Sequence, residues 1–176
     1  AGQPVVMVHG NPTWSFMYRD LVRAVVASGR RAVAVDHIGC GLSDKPADYE
    51  YRLQNHVSNL TALIEALELD RPSLVLHDWG GAIGMGYAVR HPANVDRIVV
   101  MNSAAFLSPR CPLRIRLCRL PLLGALAVRG LNGFARAALS QALVRPDALS
   151  EEEKAGYLAP YDSYANRIAT LRFVQD

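Results

Sequence analysis

Four short runs of consecutive apolar residues punctuate the first hundred positions. They are Val5–His9, Arg31–Asp36, Ser73–Asp78 and Arg97–Asn102. Each is nearly continuous in Val, Ile, Leu or Ala, the pattern of strands buried on both faces of a parallel sheet. The intervening segments follow a helical period. Phe16–Ser28 places Leu21, Val22, Val25 and Val26 on one side, and Leu53–Leu69 spaces Leu53, Val57, Leu60, Ile64 and Leu67 by threes and fours. Gly81–His91 is rich in small residues, which lets a helix lie close to a sheet. Strand and helix in alternation predict an α/β fold with a parallel sheet covered by helices.

After Asn102 the pattern changes. Residues 103–176 contain no further strand-like run. Pro109, Pro112 and Pro121 lead into an Arg- and Leu-rich stretch, Leu113–Leu143. Ser150 and Glu153 are spaced as a capping box that starts a helix over Glu151–Tyr157. The expected organisation is a core over residues 1–108 and a helical lid or cap over 109–176. Leu113–Leu143 could be a basic amphipathic helix for a membrane surface. It could also be a lid whose Leu side covers a pocket and whose Arg side is solvated. Pro121, Gly124, Gly130 and Gly133 break the stretch into short pieces and favour the lid.

Composition narrows the classes. Of 176 residues, 51% are hydrophobic and 20% charged, which supports a real core and excludes a disordered tail. The charge-free run Ile98–Pro109 is far shorter than the roughly 20 residues of a spanning helix. No signal-peptide pattern opens the chain. The cysteines Cys40, Cys111 and Cys118 are widely spaced and odd in number, so no disulfide or metal framework is expected and a reducing cytoplasm is the default. Net charge is +3, too balanced to indicate nucleic acid. The cations are 17 Arg against Lys45 and Lys154 alone, read here as a compositional bias.

Candidate chemistry lies at two strand ends. Leu76-His77-Asp78-Trp79-Gly80-Gly81 closes the third run and opens a helix. A sharp strand-to-helix turn there would push one side chain out over the sheet, with glycines where the turn leaves no room. The usual pattern is Gly-x-Ser-x-Gly; here Asp78 holds the nucleophile position and Leu76 replaces the first glycine. An aspartate is already ionised at neutral pH and suits attack on a saturated or strained carbon. Alternatively, Asp78 merely caps the following helix. His9-Gly10-Asn11-Pro12-Thr13-Trp14 follows the first run, where a loop supplies one N–H of an oxyanion hole and the residue after the nucleophile the other. Those positions are Asn11 and Trp79. Their amide and indole are also N–H donors, suited to an anionic leaving group.

These motifs resemble the α/β-hydrolase fold and, within it, the haloalkane dehalogenase-like group. The signature is His-Gly-Asn-Pro-Thr-Trp-Ser-Phe from His9 and His-Asp-Trp-Gly-Gly from His77. Asp36-His37-Ile38-Gly39-Cys40-Gly41-Leu42-Ser43-Asp44-Lys45-Pro46 and Met101–Phe106 look more like the β-lactone decarboxylases of long-chain olefin biosynthesis. Some dehalogenases carry the triad acid after this strand, whereas no carboxylate occurs from Ile98 through Val144. The resemblance is strong from Val5 to about Pro109 and looser through Asp176. It implies Asp78 as nucleophile, Asn11 and Trp79 as anion stabilisers, no cofactor or metal, and a small apolar, lipid-like substrate. The leading activity it implies is decarboxylation of a cis-3-alkyl-4-alkyloxetan-2-one to a long-chain alkene and CO2. Attack on the acyl carbon or the ring carbon is left open. Haloalkane dehalogenation is the alternative. Epoxide hydrolysis is third, with Tyr157, Tyr161 and Tyr164 available in lid sequence. A non-catalytic partner that docks through the lid is the reading from another class.

In this fold the triad acid and histidine follow the lid. His9, His37, His56, His77 and His91 are each read as structural, and neither Asp162 nor Asp176 makes a convincing triad acid. Two further strands would precede residue 1. The chain is therefore expected to be the centre of a larger sheet, a fragment or half of a split enzyme. An unpaired apolar sheet edge would favour association with the missing half or with other pathway enzymes.

Overall fold

A computed structural model describes residues 2–106, 111–142, 144–145 and 148–176. The expected boundary at 108/109 and Leu143 lie outside the described residues. Four parallel strands form the sheet: β1 (Pro4–Val8), β2 (Arg31–Val35), β3 (Ser73–His77) and β4 (Ile98–Met101), in the order β2-β1-β3-β4. β1 is central, with Val8 opposite Val35 on one side and Leu76 on the other. Crossovers run through α1 (Arg19–Ala27), α2 (Leu53–Ala66) and α3 (Trp79–Arg90).

The strand period of two divides β1 between two cores. Val6 and Val8 join Leu74 and Leu76 against Leu60 and Ile64 of α2 and Ile83 and Tyr87 of α3. Val5 and Met7 face Tyr18, with Leu21, Val22 and Val25 of α1 packed behind. Three element ends differ from the sequence expectation. A 3-10 turn, Ser15–Tyr18, precedes α1. α2 stops at Ala66 because Glu68 takes a left-handed conformation at φ 50°, though Leu69 remains buried. α3 begins at Trp79 rather than Gly81.

β4 departs most. Its apolar run predicts burial on both faces, yet Ile98, Val99 and Val100 are 38–54% exposed. β4 is an edge strand whose only partner in the described sheet is β3, so its continuous apolar character outlasts its cover.

The described part of 111–176 is helical: α4 (Leu113–Arg119), α5 (Pro121–Gly124) continuing into a π-type turn at Ala125–Gly130, α6 (Gly133–Gln141), α7 (Glu151–Leu158) and α8 (Ile168–Gln175). The capping box of α7 forms as expected: Ser150 Oγ accepts from the Glu153 N–H and the Glu153 carboxylate accepts from the Ser150 N–H. α8 is nearly all buried, and Ile168, Ala169 and Phe173 share the core of α2 and α3.

Leu76 has no exposed surface and Val99 is half exposed. Leu76→Ala should therefore cost about 2–5 kcal/mol, and Val99→Ala no more than about 0.5 kcal/mol. Urea unfolding measures both. Equal losses would mean that β4 is covered in solution.

Candidate active site

Strand β3 delivers Asp78 at its carboxyl end. Asp78 has φ 52° and ψ −125°, a conformation an L-residue rarely adopts. Two contacts hold its carbonyl: the Ser103 hydroxyl donates to it at 2.6 Å and the Gly81 N–H at 2.9 Å. Neighbouring backbone leaves no room for side chains. A Cβ on Gly10 would fall within the Asp78 carboxylate, and one on Gly80 would strike the Val8 carbonyl. β1, β3 and α3 can close on one another only with glycine at these points.

The Asp78 carboxylate does not act as a helix cap. Asp78 occupies the N-cap of α3 but makes no side-chain cap hydrogen bond. Its Oδ1 instead accepts the main-chain N–H of Asn11 at 2.7 Å. The two motifs, 67 residues apart, meet there. Trp79 is the first residue of α3, whose N-terminal N–H groups lack helical partners and favour a nearby anion.

Asn11 and Trp79 are placed differently from one another. Trp79 lines the cleft beside Asp78, its ring 5.4 Å from Phe173. The Asn11 side chain turns toward α8 and donates through Nδ2 to the Thr170 carbonyl at 3.0 Å. Its buried Oδ1 has no partner, and reversing the amide would set two oxygens together. In this arrangement Asn11 thus offers Asp78 its main chain, while its amide ties down the loop. Two more bonds fix that loop: Trp14 Nε1 donates to the Gly156 carbonyl at 3.2 Å and Tyr161 Oη to the Thr13 carbonyl at 3.1 Å. Arg19 reaches from the start of α1 to pair with Glu153. Sequence spacing did not reveal these anchors.

The cleft is about 1040 Å³ and open to solvent, with a mostly apolar wall. Met85, Val89, Ala104, Ala105 and Phe106 line it beside Asp78 and Trp79. Asp176 also lines it, but its carboxylate caps α2, accepting from the Leu53 N–H at 2.8 Å and from Arg52. Asp162 is engaged by Asn166. Among the described residues no histidine lines the cleft. The lid tyrosines are elsewhere: Tyr161 is buried against Thr13, Tyr157 packs on Phe16, and Tyr164 stacks under Arg129. None of the three lines the cleft beside Asp78.

The histidines brace the loops. His9 Nδ1 lies 2.8 Å from the Gly10 carbonyl, and its Nε2 accepts the His37 N–H at 3.1 Å, so the neutral ring carries its proton on Nδ1. His37 Nε2 lies 2.9 Å from the His9 carbonyl. Asp36 accepts from the Ser15 and Leu42 N–H groups and draws both loops together. His56 stacks on Phe173 with both ring nitrogens unpartnered. Burial holds His9 well below the usual range, His37 at about 4 and His56 at about 3.

A profile of the α/β hydrolase fold matches residues 3–123. A cis-3-alkyl-4-alkyloxetan-2-one decarboxylase of Shewanella oneidensis is 50% identical over 99% of this chain and 56% of its own length. A protein of the same description from Xanthomonas campestris pv. campestris is 41% identical over 99% of the chain and 61% of its length. The solved haloalkane dehalogenase DbeA from Bradyrhizobium elkani superposes with a TM-score of 0.87 at 32% identity, over 98% of this chain and 61% of its own. The chain thus spans somewhat more than half the length of these relatives.

The buried histidines make stability depend on pH. Their folded pKa values lie below the ordinary 6.5, so between pH 6.5 and about 4 the unfolded chain binds protons that the folded chain refuses. Stability therefore falls as pH drops through that window. The urea midpoint should be lower at pH 5 than at pH 7, and His56→Phe, which keeps the stack on Phe173, should reduce the difference. Identical midpoints in the parent protein would refute this account.

Proposed function

The chain belongs to the α/β-hydrolase-fold family, and from that premise we propose that it supplies the nucleophile of a β-lactone decarboxylase acting on a cis-3-alkyl-4-alkyloxetan-2-one. The observation that carries the reading is the Asp78 carboxylate, presented by a strained turn, bonded to the Asn11 N–H and open to an apolar cleft. The decarboxylases at 50% and 41% identity support the substrate class.

Oδ1 holds the Asn11 N–H, which leaves Oδ2 to attack. Attack on the ring carbon bearing the lactone oxygen forms an ester to Asp78. The ring C–O bond breaks and its electron pair leaves on the substrate's own carboxylate. That carboxylate departs as CO2, the freed C–C pair becomes the alkene, and the Asp78 oxygen is expelled. Atoms and charge balance without water or an external proton. The N–H groups at the start of α3, at Trp79, would steady the freed carboxylate, while the Asn11 donors stay on Asp78 and Thr170. The apolar wall suits two alkyl chains.

Halide displacement is the second reading, favoured by the superposition on a dehalogenase. Asp78 would displace halide from an alkyl carbon, and hydrolysis of the ester would then require an activated water.

Offering a cis-β-lactone and a bromoalkane separately to the protein carrying these residues distinguishes the two. Alkene by gas chromatography is expected from the lactone, and Asp78→Asn should reduce it by at least about 10³-fold, as expected for loss of a nucleophile. Halide release without alkene would overturn the decarboxylase reading.

A further inference from the structure

The lid has a face that the site does not use. Its inner side is small and closely packed: Gly124 abuts the Cys118 carbonyl and Leu171, and Val128 and Ala135 are buried. This fixes how the short helices sit and sends the large side chains outward. Leu113, Leu117, Leu122, Leu123, Leu126 and Leu131 are 48–86% exposed. In this structure the leucines meet solvent beside the arginines, where the sequence led to the expectation that they cover a pocket. Leu113 and Leu117 lie four apart, as do Leu122 and Leu126, so each pair shares a helix face, and exposed apolar groups concentrated on one segment mark an interaction site.

Charge identifies the partner. From Ile98 to Pro146 the sequence contains no Asp or Glu but seven arginines, while the other 127 residues carry 12 basic and 16 acidic groups. The positive charge is concentrated on the segment that bears the exposed leucines. Among the described residues, none of Arg114, Arg116, Arg119, Arg129 and Arg136 is paired with a carboxylate. Arg114 donates to Gln141, and Arg119 to the Gln175 carbonyl. Leucines flanked by unpaired arginines match a layer of acyl chains beneath anionic headgroups.

We propose that the outer face of α4–α6 docks on an anionic lipid surface. The short pieces suit this role: α4 presents Leu113 and Leu117, and α5 with the turn after it presents Leu122, Leu123 and Leu126, without any piece long enough to span a membrane. The cleft lies nearby along the chain. Phe106 lines it and is 77% exposed, and Leu113 follows seven residues later, a reach of at most about 25 Å. Docking would bring the apolar cleft close to a lipid phase. The proposal is independent of the reaction at Asp78, because binding can be read without turnover.

Co-sedimentation with phosphatidylcholine vesicles, with and without phosphatidylglycerol, tests it. Binding to the anionic vesicles is expected, at least about tenfold weaker on pure phosphatidylcholine and about tenfold weaker in 0.5 M NaCl. The pair Leu122→Asn with Leu126→Asn should weaken binding by about tenfold or more, as should the triple Arg114→Gln, Arg116→Gln, Arg119→Gln. All five residues are exposed, so thermal melts should match the parent protein. Absence of binding to anionic vesicles would overturn the proposal. Binding that survives the leucine pair would also overturn it, leaving only non-specific charge attraction. A discrete dimer abolished by the leucine pair, without vesicle binding, would reassign the face to a second copy of the chain.

Discussion

The hydrogen bond from the Asn11 N–H to the Asp78 carboxylate organises this molecule. It joins the loop after β1 to the turn after β3, the ends of two strands adjacent in the sheet. For it to form, Asp78 must hold a left-handed backbone, at a cost of about 1–3 kcal/mol. Gly10 and Gly80 must also lack side chains. The Ser103 hydroxyl and the first helical bond of α3 both hold the Asp78 carbonyl and offset that strain. Sheet register, helix packing and glycine placement all serve the position of one carboxylate.

The same loop is held from the other side by the end of the chain. Asn11, Thr13 and Trp14 bond to Thr170, Tyr161 and Gly156 respectively. The lid sequence is thus two things at once. α7 and α8 buttress the site and extend the core, while α4–α6 present leucine and arginine outward. Beneath the loop, His9 and His37 exchange bonds with each other's main chain and satisfy buried polar groups that would otherwise be orphaned.

Much of this was legible in the residues. Continuous apolar runs located all four strands, although two-face burial explains the run only in β1 and β3. Asp78 stood out because Gly80 and Gly81 follow it at a strand end. The bonds between residues 11–14 and 156–170 were not legible, since separations near 150 leave no local period. The exposure of Val99 and Leu122 was equally hidden. Periodicity reports which side of an element is apolar, and says nothing of what lies opposite. The Asn11 side chain shows the same limit: an amide at an oxyanion position reads as a donor to substrate, and here it is spent on the Thr170 carbonyl.

The anchoring of the loop also sets an order of events. β1, β3 and the Asp78 turn precede α7 and α8 in the chain, and their contacts, that of Ser103 included, can form once residue 103 is synthesised. The Thr170 carbonyl follows 67 residues later, about three to thirteen seconds at ordinary translation rates. Throughout that interval the Asp78 turn is in place while the loop that partners it lacks its outer supports. A chain interrupted before α8 would carry a folded sheet and an exposed aspartate without the anchors that fix the loop beside it.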